Sequence, residues 1–300
     1  MKFEVVTVDL SRGTPGGAGD LERGLRLRGA FEGTGFVILK GVRGLDPALV
    51  AKAYEYMQKL FDLPVEVLRR YERIALHHQR GYTPFKVEQG VGALAADLKH
   101  HYFIGPEGSK AKYENVWPEE IPGFREVFLA VYQMFERIAY EVTRLLGFAV
   151  NLPGIERELA GSESLLRLID YPELSPDEDP NAERAAAHGD INVLTFLPTA
   201  TAAGLEVRAL DGTWAPVNAA PGDLIVNAGD VLEYIGANRP DETTRFQIPS
   251  TWHRVVNLPG RRFSMPFFSH LREGYVVNPT TGLTEGELVH ERLRAIGLAT

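Results

Sequence analysis

Between residues 121 and 147 apolar side chains return every three or four positions. Phe124, Val127, Phe128, Val131, Phe135, Ile138, Ala139, Val142, Leu145 and Leu146 trace one broad stripe, and Arg125, Glu126, Gln133, Glu136, Arg137 and Arg144 lie largely off it. That period predicts a long amphipathic helix whose stripe is core and braces a sheet. Residues 21–31 predict an earlier helix with Leu21, Leu25, Leu27 and Phe31 as its buried set, stopping near Gly33 and Gly35, where glycine relieves the strain of a helix end. Asp46-Pro47 predicts a helix start, aspartate at the cap and proline in the first turn. Leu49, Ala53, Tyr56, Met57, Leu60 and Phe61 follow at helical spacing until Leu63-Pro64 breaks it, and a shorter helix is expected through Leu68, Tyr71 and Ile74. Residues 285–298 predict a terminal helix on Leu288, Leu293 and Ile296.

The period changes in the second half. After a first strand at residues 3–8 and an apolar run at 36–39, short strands are expected at 164–169, 194–197, 205–208, 214–217, 224–227 and 255–257. Asp211-Gly212 and Pro221-Gly222-Asp223 supply turns between them. Many short strands at this spacing predict a jelly roll or barrel, and neither a βαβ alternation nor a dinucleotide fingerprint is present. The expected fold is mainly β with helical additions: a double-stranded β-helix (jelly roll, cupin-like) core braced by N-terminal helices. One domain spans 1–300, with residues 1–160 mostly helical, 161–275 forming the jelly roll and 276–300 a tail or helix. Residues 172–183, rich in prolines and acids, predict a loop beside the site and a candidate lid.

Composition adds limits. With 300 residues, 44% of them hydrophobic, the chain can build one large core. A net charge of -8 argues against a nucleic-acid partner, since phosphate contacts need a basic surface. The absence of cysteine removes disulfides, thiol catalysis and cysteine-bound metals. No stretch approaches the ~20 apolar residues of a membrane span, and the first residues carry no secretory pattern. A cytoplasmic protein with a small-molecule partner is expected; monomer or homo-oligomer stays open.

The candidate chemistry lies between His188-Gly189-Asp190 and His253. On a strand, residues two apart share a face, so His188 and Asp190 are expected to project into one interior. His253, 63 residues beyond Asp190, would come from a distant strand. Two imidazoles and one carboxylate on one side of a metal leave open positions opposite, which suits a non-haem Fe(II) oxygenase. A structural zinc would want four closed ligands. Arg262 follows His253 by nine residues and Ser264 follows Arg262 by two, in an apolar setting of Phe263, Met265, Pro266, Phe267 and Phe268. A guanidinium there needs an anion, and a carboxylate fits its planar fork. His77-His78 and His100-His101 are not expected to form a second metal site, because adjacent side chains on an extended strand point opposite ways.

The His188-Gly189-Asp190, His253 and Arg262-Phe263-Ser264 motifs resemble the isopenicillin N synthase-like branch of the Fe(II)/2-oxoglutarate-dependent oxygenases. Gly35-Phe36-Val37-Ile38-Leu39, Phe61-Asp62-Leu63-Pro64, Arg80-Gly81-Tyr82, Tyr171-Pro172 and Pro221-Gly222-Asp223-Leu224 extend the likeness over most of the chain. The resemblance implies Fe(II) on His188, Asp190 and His253, with the far carboxylate of the co-substrate 2-oxoglutarate on Arg262, Ser264 and Tyr171. It also implies O2 as oxidant, succinate and carbon dioxide as products, and hydroxylation of a small molecule. Arg80, Tyr82, Tyr102 and Phe268 are candidate substrate-pocket residues. The alternative within the branch is a 2-oxoglutarate-independent Fe(II) oxidase or cyclase of the isopenicillin N synthase type, with the Arg-x-Ser pair turned to a substrate carboxylate. Residues 236–247 depart from the family pattern as a longer, polar connection, an enlarged rim loop or an oligomer contact.

Overall fold

The computed structural model describes residues 4–12, 16–90, 92–108, 111–179, 181–209 and 211–295. Its helices are α1 (Ala18–Thr34), α2 (Pro47–Phe61), α3 (Val65–Leu68), α4 (Phe124–Ala149), α5 (Asp230–Ala237) and α6 (Glu285–Ala295). The strands begin with β1 (Val6–Asp9), β2 (Phe36–Lys40), β3 (Gly81–Thr83), β4 (His100–Ile104) and β5 (Leu165–Tyr171). They continue as β6 (Ala185–His188), β7 (Leu194–Pro198), β8 (Leu205–Arg208), β9 (Trp214–Pro216) and β10 (Leu224–Ala228). The last are β11 (His253–Val255), β12 (Arg262–Ser264), β13 (Phe267–Ser269), β14 (Val276–Asn278) and β15 (Leu283–Thr284).

The helical periods of the sequence decide most of this. All ten stripe residues of α4 are buried. Asp46 caps α2, its carboxylate accepting from the amides of Ala48 and Leu49 at 2.9 and 3.2 Å. Helix α1 ends at Gly35, whose φ of 66° is left-handed; a Cβ there would lie 2.3 Å from the Pro249 carbonyl. The buried set of α1 differs from expectation. Leu27 and Phe31 are interior, but Leu21 and Leu25 are exposed, and Gly24 faces α4 instead. Gly24 comes so close to the Leu145 carbonyl that a Cβ would clash at 2.2 Å, and Asp20, beside it, pairs with Arg23 and with Arg144. An ion-paired, glycine-lined contact has replaced the apolar one. Ile296 and Leu298 of the expected terminal helix, and Phe3 of the first strand, lie outside the described residues.

Two sheets face each other. The larger runs β1-β2-β10-β7-β13-β5-β4-β3, with β12 also paired to β5, and the smaller runs β6-β11-β8-β9. Strands from both the 1–160 and 161–275 portions therefore join one sheet. Between the sheets packs a cluster of Phe36, Ile38, Ile169, Tyr171, Leu197 and Ile225 from the larger with Ala185, Leu205, Val207 and Val255 from the smaller. The alternate residues of the larger sheet, Leu166, Leu168, Tyr102 and Phe267 among them, bury against α1, α2 and α4. This is a double-stranded β-helix, one face of its main sheet supported by helices and the other lining the interior. Among the described residues no helix is long and apolar enough to cross a membrane. Residues 236–247 form the end of α5 and a short 3-10 turn over Glu242–Thr244, capped by the Asp241 carboxylate.

Asp170 ties β5 to β12 on the helix-facing side. It is 1% exposed and accepts from His100 Nε2 at 2.7 Å and from Arg261 Nε and Nη2 at 2.9 Å each. Asp170→Ala would strip His100 Nε2 and two nitrogens of the Arg261 guanidinium of their acceptor while Arg261 keeps its pair with Asp62, a change that costs about 1–3 kcal/mol. The denaturant midpoint is expected to fall accordingly, with an unchanged m-value; an unchanged midpoint would show that the bridge contributes nothing.

Candidate metal centre

His188 closes β6 and His253 opens β11, and the two residues are direct cross-strand partners. Their rings lie 4.4 Å apart. The strand ends at His188, so Asp190 does not reach the interior by strand alternation as the sequence predicts; it sits in the turn just beyond. There its Oδ1 lies 3.9 Å from His188 Nε2 and 3.7 Å from His253 Nε2. Among the described residues these form the one group of three or more His, Cys, Asp or Glu ligand atoms within 4.8 Å of one another.

The surroundings leave the right atoms free. His188 Nδ1 is 2.8 Å from the Ala186 carbonyl and His253 Nδ1 is 3.2 Å from the Thr251 carbonyl. A carbonyl only accepts, so each Nδ1 carries the hydrogen and each Nε2 presents a lone pair. Asp190 Oδ2 is taken up by the Thr195 hydroxyl at 2.5 Å and the Asn227 amide at 2.8 Å, which turns Oδ1 towards the histidines. Phe36 packs edge-on against His253 at 5.4 Å. Two neutral imidazoles and one carboxylate, each with its second polar atom held, are the donor set that suits Fe(II).

The electrostatics agree. Burial, then the neighbouring His253 and Lys99, push His188 down to about 4, so it stays neutral at physiological pH. Burial opposes the charge on Asp190, but His253, His188 and the bonds from Thr195 and Asn227 outweigh it and hold the carboxyl below its usual range. Thr195 and Asn227 escaped the sequence analysis because they stand on β7 and β10, neighbours only in the folded sheet. Thr195→Val keeps the shape and removes the donor. Fe(II) affinity is expected to fall roughly 10–100-fold, read by anaerobic calorimetric titration; an affinity within twofold of the parent would deny Thr195 this orienting role.

Arg262 and Ser264 share the interior face of β12, opposite Tyr171 and Ile169 of β5. Arg262 is 2% exposed, lies 5.0 Å over the Tyr171 ring and donates Nε to the Ala202 carbonyl at 3.0 Å. Its Nη1 is buried without a partner. A buried guanidinium with a free N–H is short of one acceptor, as a cation awaiting a carboxylate would be. The co-substrate that the sequence implies fits these residues.

The four candidate pocket residues separate. Phe268 is linked to the triad through Thr195: it pairs across β13 and β7 with Thr195, whose hydroxyl bonds Asp190, and it is partly exposed. The structure does not bring Arg80, Tyr82 and Tyr102 there. Arg80 is 1% exposed, bonded to Glu163 at 2.6 Å and to the Gln79 carbonyl at 2.7 Å. Tyr82 and Tyr102 are paired residues on the helix-facing side of the sheet, bonded to His100 Nδ1 at 2.9 Å and the Val116 carbonyl at 2.7 Å. Their neighbour His101 takes the interior face instead, with Arg167 of β5 2.9 Å from its Nδ1. Arg167 and Lys99 both pair with Glu88. His100 and His101 thus point to opposite faces as expected, whereas His77 and His78 occupy a left-handed turn rather than a strand.

Comparison with known proteins gives the same picture from an independent side. The profile of the 2OG-Fe(II) oxygenase superfamily matches residues 162–271, and that of the "non-haem dioxygenase in morphine synthesis N-terminal" family matches residues 6–120. A 2-oxoglutarate-Fe(II) type oxidoreductase of Aspergillus fumigatus is 27% identical over 270 residues, spanning 84% of this chain and 77% of the relative. A crystal structure of a Caulobacter crescentus protein assigned to the 2OG-Fe(II) oxygenase family is 31% identical, with a TM-score of 0.82 over 97% of this chain and 98% of that one. The fold is also that of Neurospora crassa T7H, solved in complex with alpha-KG and thymine, at 23% identity and a TM-score of 0.83 over 97% and 96% of the two chains. With its converging histidines and carboxylate, its double-stranded β-helix and these relatives, the chain belongs to the 2OG-Fe(II) oxygenase superfamily, oxidoreductases that work with Fe(II), 2-oxoglutarate and O2.

Proposed function

We infer that this Fe(II)- and 2-oxoglutarate-dependent dioxygenase hydroxylates a small molecule beside His188, with iron on His188, Asp190 and His253. The far carboxylate of 2-oxoglutarate is held by Arg262 and Ser264 with help from the Tyr171 hydroxyl. The observation that carries this reading is the convergence of three free ligand atoms within 4.8 Å, with a buried guanidinium short of an acceptor on the inner face of the opposing larger sheet. Bound there, the metal and the keto acid supply the oxidant, as oxidative decarboxylation with O2 gives succinate and carbon dioxide.

The remaining work is done by the chain. Thr195 and Asn227 fix the rotamer of Asp190 so that one oxygen faces the metal position. The backbone carbonyls of Ala186 and Thr251 fix the tautomers of the histidines. The ring of Tyr171 under Arg262 holds the guanidinium by a cation–π contact. The side chain of His188 is 37% exposed, which supports substrate approach from its side, along a wall that includes Phe268. Holding the reacting carbon there makes the oxidation effectively intramolecular.

An anaerobic titration of the apo-protein with Fe(II) and then 2-oxoglutarate tests the reading. A visible metal-to-ligand charge-transfer band is expected, and on admitting O2 with substrate, one succinate per substrate oxidised. Substrate oxidation without succinate would instead favour the 2-oxoglutarate-independent oxidase, with Arg262 and Ser264 gripping a substrate carboxylate.

A further inference from the structure

Arg262 has a second buried guanidinium for a neighbour. Arg184 immediately precedes β6 and exposes none of its surface. Its Nη2 donates to the carbonyl of Pro172 at 3.2 Å and to that of Gly260. Those carbonyls flank the strand pair that carries the co-substrate grip: Pro172 follows Tyr171 at the end of β5, and Gly260 comes two residues before Arg262 on β12. Arg184 Nε and Nη1 have no partner, and neither has Arg262 Nη1. Burial first, and then the charge of Arg262, disfavour the charged form of Arg184.

A guanidinium does not shed its proton at any physiological pH, so that cost has to be met by an anion. Among the described residues no carboxylate is hydrogen-bonded or ion-paired to either guanidinium, although Asp170 favours the charge of Arg184 without bonding to it. Asp170, the acid adjacent to Tyr171, spends its carboxylate on Arg261 and His100, on the face of the sheet turned to the helices. Two buried cations, with three unsatisfied N–H-bearing nitrogens between them, remain beside Tyr171.

We propose that Arg184 is a second cation of the co-substrate pocket, so that the far carboxylate of 2-oxoglutarate bridges Arg184 and Arg262. This rests on the reading of Arg262 and Ser264 given above and extends it to a residue outside the Arg-x-Ser pair. Its consequence is selectivity. A 2-oxo acid with the same chelating end but no far carboxylate leaves both guanidiniums unpaired, so the pocket rejects monocarboxylates more strongly than one arginine would achieve.

The test compares Arg184→Met, Arg184→Lys and Arg262→Met with the parent chain. Each is loaded anaerobically with Fe(II) and titrated with 2-oxoglutarate and, separately, with 2-oxobutyrate, following the charge-transfer band. Arg184→Met is expected to weaken 2-oxoglutarate at least tenfold, to change 2-oxobutyrate by less than twofold and to leave Fe(II) affinity unchanged. Arg184→Lys should recover part of the loss. At a fixed excess of 2-oxoglutarate, the heat stability gained on adding it should be smaller in Arg184→Met than in the parent, by an amount that follows the logarithm of the fold-change in affinity. If Arg262→Met weakens 2-oxoglutarate while Arg184→Met stays within twofold, Arg184 only caps the Pro172 and Gly260 carbonyls and the proposal is overturned. Should neither variant alter 2-oxoglutarate binding, the reading of Arg262 fails and this proposal with it. Where Arg184→Met does not fold, Arg184→Lys decides alone: a 2-oxoglutarate affinity equal to the parent's, together with a lowered apo Tm, overturns it.

Discussion

Asp190→Ala is expected to abolish tight Fe(II) binding and, with it, turnover. The carboxylate is the one anionic member of the triad, and its Oδ1 is the atom that both Nε2 nitrogens face, at 3.9 and 3.7 Å. Removing it takes away the charge that offsets a divalent cation and leaves two imidazoles, which tolerate many metals and select none. The loss should exceed the roughly 10–100-fold expected when only a supporting partner is removed. Folding of the variant is checked separately, because the Thr195 hydroxyl and the Asn227 amide lose their acceptor. Anaerobic titration with Fe(II), with circular dichroism as the control for folding, checks this. An iron affinity like the parent's in a folded variant would place the metal elsewhere.

Arg262→Ala is expected to raise the dissociation constant for 2-oxoglutarate by about 30-fold or more while sparing iron. Truncating one partner of a buried, hydrogen-bonded charge pair costs roughly 2–5 kcal/mol, and each 1.4 kcal/mol is about tenfold. Arg262 meets the conditions: it is 2% exposed, its Nη1 is unpartnered, and Tyr171 and the Ala202 carbonyl fix its direction. The charge-transfer band should form only at much higher 2-oxoglutarate, with unchanged Fe(II) affinity in its absence. A band that forms at the parent's concentrations would mean that another cation holds the co-substrate, and Arg184 is then the first to examine.

Local patterns survived folding where the information was local. The α4 stripe, the Asp46 cap and the strands at 194–197, 205–208 and 224–227 follow from periods and turn residues within a few positions of each other. The convergence of His188, Asp190 and His253 was legible as well, because His188 and Asp190 are close in sequence and His253 precedes an Arg-x-Ser pair, although Asp190 reaches its place from a turn and not from the strand.

What the chain order did not reveal depends on sheet parity and on who stands next to whom. Tyr82 and Tyr102 were candidate pocket residues, yet one step along β4 separates Tyr102, against the helices, from His101, in the interior. A strand's alternation assigns faces only once its neighbours and the covering helices are in place. Leu21 and Leu25 fit a helical period but lie outside, because Gly24 lets α1 and α4 approach on another side. Sequence by itself determined most element types, the residues of the candidate metal cluster and the family. Tertiary structure alone decided that Thr195 and Asn227 orient Asp190, and that Arg184 lies by Arg262. Those pairs are joined by strand registers and loops from distant parts of the chain, and only burial makes an unpaired guanidinium costly enough to demand a ligand.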